Sequence, residues 1–326
     1  MPRLARLVLT RLVGSIPVLL IVVIGVFLLL DRAGGDAVDA YLLSIGGGDA
    51  QMAAELRTRY GLDRSVTQRL LFTLGQLSRG DLGWSVALHR PIGPVIAERL
   101  PNTLWLMGSA TALSFLAGSG LGILAGRRPG SALDRLLSGG SLLLYSVPSF
   151  WLGLVLSVVF AVQLRWLPVS GIETIASGKA GLARAVDIAR HLVLPVAALG
   201  MIYLALFLRI MRSGMAEAWG QDHTLAARAR GLSDARITLN HAARTALLPL
   251  VTMLGLQAAS MLGGSVVIES VFAIPGFGRL AHEAVAGRDA PLLLAVILVS
   301  ALMVVAVNLL VDLAYGWLDP RVGDHG

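Results

Sequence analysis

Six histidines, one lysine and no cysteine are the strongest ligands and nucleophiles available to this 326-residue chain outside its carboxylates and hydroxyls. His89, His191, His223, His241, His282 and His325 show no H-x-x-x-H or similar ligand spacing, so no metal site is indicated. Without cysteine there is no disulfide, thiolate ligand or thiol nucleophile. ATP hydrolysis by a P-loop needs G-x-x-x-x-G-K-[ST], whose lysine reaches the phosphates. The single lysine, Lys179, is followed by Ala180, which excludes that chemistry. No Ser-His-Asp arrangement can be argued from spacing; Asp and Ser abound in the loops as turn and cap residues. No residue of this chain is assigned a catalytic role.

The stretch Gly220–Pro249 offers mechanical rather than covalent chemistry. Asp222 is suited to cap a helix start, and Gly231 to stand just past a helix end. Between them lies a two-turn, Ala- and Arg-rich segment containing His223, Leu225, Ala226, Ala227, Arg228 and Arg230, followed by Leu232. Ser233 can cap a second helix leading into the next apolar run. A short helix with small side chains suits the groove of a partner protein. Ala226 and Ala227 are expected to face that partner, because small side chains let a helix seat deeply.

The elements that position this stretch are apolar. The chain is 56% hydrophobic and 14% charged, against about 25% charged in soluble domains. A bilayer span needs roughly 20 apolar residues. Six runs qualify: Leu9–Leu30, Thr103–Gly126, Leu136–Leu164, Leu192–Met211, Leu247–Phe272 and Pro291–Tyr315. The first is too long for a signal-peptide core and lacks a clear A-x-A site. If six helices alternate, Arg3, Arg6, Arg11, Arg127, Arg128, Arg135, Arg209, Arg212, Arg228, Arg230, Arg236 and Arg244 fall on one side. Positive short loops mark the cytoplasmic side, so both termini are expected inside. The net charge of +7 is accounted for in this way, and nucleic-acid binding is not needed to explain it. The expected fold is all-α: one polytopic membrane domain over 1–326, with an extracytoplasmic segment at 31–99 and a cytoplasmic loop at 214–246.

Within 31–99, Gln51–Arg59 and Val66–Leu77 carry helical spacing and read as amphipathic helices at the outer membrane surface. Gly118, Gly122 and Gly126 repeat every fourth residue, as do Gly255, Ala259 and Gly263. Such spacing lets helix backbones approach closely and is read as packing within the chain rather than as a dimer motif. Pro148, within Ser146–Trp151, is expected to kink the third span. Glu269–Gly278 reads as an external turn, in which Glu269, Pro275, Gly276, Phe277 and Gly278 are candidates for contact with a partner or for an outer gate. Charged residues within the spans sit near span ends, at Arg209, Glu269 and Asp312, so the parts of an ion-coupled carrier are missing. Energy for uphill transport would have to come from another subunit.

These motifs resemble the dipeptide/oligopeptide/nickel subfamily of ABC-transporter permeases, in its first-permease type. The resemblance is carried by Arg11–Leu20, Tyr60-Gly61-Leu62-Asp63, Arg79–Gly83, Arg99–Thr103, Ser146–Gly153, Trp166–Gly171, Asn308–Asp312 and Leu318-Asp319-Pro320-Arg321. Its most specific part is Leu225-Ala226-Ala227-Arg228-Ala229-Arg230-Gly231, similar to the family's E-A-A-x-x-x-G loop with Leu225 in the place of Glu. The sequence departs from the family at Gly34-Gly35-Asp36-Ala37, where Pro-Gly-Asp-Pro is common. It also departs at His223, where Tyr is frequent. The resemblance implies a bacterial inner-membrane importer for peptides or related compounds such as metal chelates. Its implied partners are a second homologous permease, two ATPase subunits holding ATP and Mg, an extracytoplasmic substrate-binding protein and membrane lipid. An ion-coupled secondary carrier and a membrane enzyme are the readings weighed against it.

Overall fold

The computed structural model describes residues 2–32, 38–39, 42, 47, 49–59 and 63–318. Residues 33–37, Tyr60-Gly61-Leu62 and Asp319-Pro320-Arg321 lie outside these residues, and the surroundings of His223, Ala259 and Gly263 are not described. The described residues form helices and the loops between them, with one hairpin of two two-residue strands. Two compact units divide it: Met1–Asn102 with Pro275–Ala306, and Thr103–Ile274 with Val307–Gly326.

In the first unit, α1 (Pro2–Arg32) turns large apolar side chains outward along its length, Leu9, Ile21 and Leu29 among them. The amphipathic segments expected after it are α2 (Ala50–Arg59) and α3 (Val66–Ser78). Ser65 and Gln68 form a reciprocal capping box at the start of α3, satisfying two orphan donors. An unanticipated hairpin follows, with β1 (Trp84–Ser85) antiparallel to β2 (Arg90–Pro91). It is tied down by Asp289, which is fully buried and accepts hydrogen bonds from Ser85 Oγ (2.7 Å) and the Ala87 amide (2.9 Å). The same carboxylate takes the Leu292 amide in the first turn of α12 (Ala290–Leu318). The unit's core joins Ile92, Val95 and Ile96, at the start of α4 (Ile92–Gly126), to Phe277 and Leu280 of α11 (Phe277–Ala286) and Leu292 of α12.

The second unit is built on α7 (Gly181–Trp219), 39 residues long. The glycine series of α4 lies against it. A Cβ added at Gly118 would stand 2.8 Å from the Leu204 carbonyl oxygen. At Gly122 it would stand 2.6 Å from Met211 Cβ, and at Gly126 2.5 Å from Met215 Cβ. The spacing therefore serves packing within the chain, as read from sequence. Gly255 of α10 (Ala243–Val271) similarly meets Val311 of α12.

The third expected span departs from a kinked helix. α5 (Ala132–Ser146) and α6 (Ser149–Leu156, continued by a π-helical turn at Ser157–Gln163) meet at 101°. Pro148 has no amide to give the Leu144 carbonyl, which takes the Val147 amide instead at 3.4 Å. Val147 and Pro148 are both extended, the conformation that proline imposes on the residue before it. Two consecutive extended residues break a helix rather than bend it.

Beyond α7 come α8 (Asp222–Ala229), α9 (Asp234–Ile237), a π turn at Thr238–Ala242, and α10. Among the described residues, four helices are long and apolar enough to cross a membrane: Val8–Arg32, Ile92–Gly126, Gly181–Trp219 and Ala290–Leu313. The bent pair makes a fifth. The stretch Leu247–Phe272 lies along α10, which spans 29 residues but is not among these.

Close packing at the glycines yields a prediction. Gly122→Ala forces α4 off α7 and should cost about 1–3 kcal/mol, seen as a lower melting temperature in detergent. Gly120, on the same helix, has nothing within 4 Å of its added Cβ. Gly120→Ala should leave the melting temperature unchanged or raise it slightly. Equal melting temperatures for the two variants would contradict this packing.

Candidate functional site

The loop after α7 builds a small, stiff structure from local rules. α7 ends at Gly220, and α8 starts one residue after Gln221, which occupies the cap position with extended backbone. Asp222 was expected to cap the helix but is its first residue, and Gln221 at the cap makes no side-chain cap bond. Its charge still lies beside the helix's positive end. The far end follows expectation. Gly231 has φ +76°, its amide binds the Arg228 carbonyl (2.9 Å), and the Leu232 amide binds that of Ala227 (3.3 Å). This pair of bonds is a Schellman closure, which requires a left-handed residue at Gly231. An added Cβ there would touch nothing within 4 Å, so the demand for glycine is one of backbone alone.

α8 has two faces. Thr224 and Ala227, three residues apart, are buried against the chain, at 1% and 0% exposure. Thr224 Oγ1 donates to the Ala218 carbonyl at the end of α7 (2.8 Å), and the Gln221 amide donates to the same oxygen. Asp222, Leu225, Ala226 and Ala229 are exposed. Leu225 is half exposed and apolar. Ala227 was expected to face a partner and does not. It is small because the chain packs over it, and Ala226 alone of the pair looks outward. Arg228 lies over the Trp219 ring at 5.1 Å, and Arg230 Nε donates to the Ala226 carbonyl. Beyond Gly231, Ser233 stands at the cap position of α9 but makes no cap bond. Ile237, Thr238 and Ala242 are buried, and Ala246 approaches Gly214 of α7 so closely that an added Cβ would lie 3.0 Å away. Thr224 was not singled out from sequence. Its i, i+3 relation to Ala227 on an otherwise exposed helix was the available signal.

The segment Glu269–Gly278, expected as an external turn, keeps its candidate side chains largely within the chain. In the second unit, Glu269 is fully buried and accepts a hydrogen bond from Thr103 Oγ1 at 2.6 Å. Its carbonyl takes the Ile274 amide (2.8 Å) around Ala273, whose φ is +49°. In the first unit, the Pro275 carbonyl accepts from Asn102 Nδ2 (2.8 Å), and Phe277 is buried as the first residue of α11. Gly276 and Gly278 are also buried, and neither has a positive φ. Glu269 and Phe277 are thus held inside the chain, where they cannot offer side chains to a binding protein.

Pro148 borders a cavity of about 460 Å³, together with Tyr145, Ser149, Tyr203 and Gln257. The Arg209 guanidinium lies 5.5 Å from the centre of the Tyr145 ring. Near the start of α7, Asp187 accepts from Lys179 Nζ (2.5 Å) and from the Thr174 amide and hydroxyl, both in the preceding loop. Arg184 holds the nearby Glu173 carboxyl below its ordinary range. Among the described residues, no group of three His, Asp or Glu could hold a metal ion.

The chain is similar to known proteins in sequence and fold. The family described as "Binding-protein-dependent transport system inner membrane component" matches residues 118–324. The oligopeptide transport system permease protein AppB of Bacillus subtilis is 35% identical over 98% of this chain and 99% of its own. The di/tripeptide transport system permease protein DppB of Pseudomonas aeruginosa is 38% identical over 84% of this chain and 86% of its own. In fold, the chain is similar to a crystal structure of an amino acid ABC transporter with histidines. The TM-score is 0.50 at 18% identity, over 68% of this chain and 93% of that one.

The two faces of α8 separate two neighbouring alanines. Ala227→Leu should overpack the buried side, at about 1–3 kcal/mol, and loosen the loop. Trypsin should then cut faster after Arg228 and Arg230. Ala226→Leu should leave the cleavage rate as it is. Faster cleavage in Ala226→Leu, or none in Ala227→Leu, would reverse the assigned faces.

Proposed function

Because this chain belongs to the family of binding-protein-dependent transport system inner membrane components, we propose that it is the permease subunit of an ATP-driven importer of peptides. Family membership makes it a non-catalytic inner-membrane transport subunit; the finer features below are our reading. Six spans cross the membrane, with both termini in the cytoplasm and 31–99 outside. A second homologous permease completes the translocation path. Two ATPase subunits hold ATP and Mg, and an extracytoplasmic binding protein delivers substrate. Relatives named for oligopeptides and di/tripeptides support peptides as the cargo; metal chelates are a related class. Glu269–Gly278 lies on the outer side in this topology. With Glu269 and Phe277 buried, it fits an outer gate better than a docking surface.

The observation that carries the proposal is α8. It is a two-turn helix with one face locked to the end of the longest helix in the described chain and one face open. A partner that pushes on the open face moves α7 with it. That is what a subunit without a motor needs in order to receive work from one. The exposed residues Asp222, Leu225, Ala226 and Arg230 would meet the ATPase, while Gly231 and Ala227 hold the shape.

The test is uptake of a labelled peptide into proteoliposomes containing the whole complex. Uptake should need ATP, both ATPase subunits and the binding protein. Gly231→Val strains the left-handed residue by roughly 1 kcal/mol or more and should abolish uptake at normal membrane abundance. Uptake driven by a proton gradient without the ATPase subunits would overturn the proposal.

A further inference from the structure

Asp134 is 2% exposed, yet every direction in which its carboxylate can accept is filled. Arg212 approaches it with two prongs, Nε to Oδ1 at 2.6 Å and Nη2 to Oδ2 at 2.8 Å. The Gly130 amide donates to Oδ2 (2.8 Å) and Ser138 Oγ to Oδ1 (3.2 Å). Ser131 caps the same helix by accepting the Asp134 amide. A two-pronged Arg–carboxylate pair fixes orientation as well as distance, which a single bond does not. A single fixed point therefore joins the turn before α5, the first turn of α5, and α7.

What lies on either side of this point gives it a mechanical meaning. Along α7, Arg212 stands six residues before Ala218, about 9 Å at the helical rise, and the Ala218 carbonyl is the one that holds Thr224 of α8. The same turn of α7 is gripped from another side by α4, because an added Cβ at Gly126 would lie 2.8 Å from the Arg212 carbonyl oxygen. Along α5, Asp134 stands eleven residues before Tyr145, about 16 Å. There the helix ends at the Val147–Pro148 break beside the cavity. α5 is thus held to the helix that carries α8 by the ion pair at one end and by the Arg209–Tyr145 contact at the other, just before the break.

We infer that the Asp134–Arg212 pair is the link through which movement of α8 reaches the broken helix and its cavity. Asp134 and Arg212 are positioning residues of the transport cycle: they touch neither nucleotide nor cargo. The inference rests on the permease reading above. Stability alone does not call for such a pair: Asp134 is buried while the Arg212 side chain is 35% exposed, and replacing even a fully buried ion pair by apolar side chains of similar size is often neutral or favourable. A link that must hold one geometry under load does call for it.

The test uses the whole complex in proteoliposomes and reads ATP hydrolysed per peptide imported. The variants are Asp134→Asn, Arg212→Lys and the apolar pair Asp134→Leu with Arg212→Met. The apolar pair leaves no unpaired charge, so it should fold and bind the ATPase even where the single variants do not accumulate. In each variant that assembles, ATP hydrolysis should continue and ATP spent per peptide should rise, on the order of 2- to 30-fold. Arg212→Lys keeps the charge but not the fork, and its ratio should rise as well. A wild-type ratio in the apolar pair or in Arg212→Lys would overturn the link. A lower peptide uptake with hydrolysis reduced in proportion would overturn it too, because that is loss of assembly rather than of coupling. Absence of ATP-dependent uptake in the wild-type complex would count against the permease reading itself, and is told apart by that control.

Discussion

Three glycines at four-residue spacing, packed on a single long helix, set the arrangement of the second unit. At Gly118, Gly122 and Gly126 the backbone of α4 comes close enough to α7 that no β-carbon fits between them. In an apolar solvent there is little hydrophobic gain in bringing two helices together, so contact and close packing must hold them. That contact makes α7 a fixed rod over the stretch from Leu204 to Met215. The elements that matter for function hang from this rod: α5 through Arg212, the loop helix α8 through Ala218, and the start of α10 through Gly214.

Local backbone chemistry then shapes what the rod carries. The short helix α8 has few bonds of its own, and isolated helices of this length are marginal. It persists because its C-terminus closes over a left-handed Gly231 and its inner face is bound to α7. The break at Pro148 follows from opposite logic. A missing amide and two extended residues free backbone groups that lipid cannot satisfy, which is tolerated where they border an open pocket.

Much of this was legible in the residues, for reasons that differ by element. Long apolar runs announce membrane helices because length and composition are global properties of a segment. Gly231 was legible because a backbone requirement picks one residue type, and the glycine series because its period is that of a helix. The capping residue was misplaced by one, Asp222 for Gln221, since a cap depends on where α7 stops and both residues are polar. Ala227 was turned the wrong way because a small residue suits a buried face and an offered face equally well. Pro148 was read as a kink because sequence does not say whether the chain resumes its direction after a proline. Glu269 and Phe277 were candidates for partner contact because their neighbours Pro275, Gly276 and Gly278 are turn formers. Burial there depends on Thr103 in one unit and the α11 core in the other, both remote in sequence. The two π turns carry no signal that composition or spacing reveals.

The central claim is that α8, α7 and α5 move as one body. The chain has no cysteine, so two engineered ones can carry spin labels without background in this subunit. Ala229 on α8 and Leu136 on α5 are both exposed. The distance between labels at these positions, measured by pulsed electron resonance in the assembled transporter with and without ATP, tests the claim most directly. The account predicts the same distance in both states. A change on the order of one helical turn, about 5 Å, would contradict it.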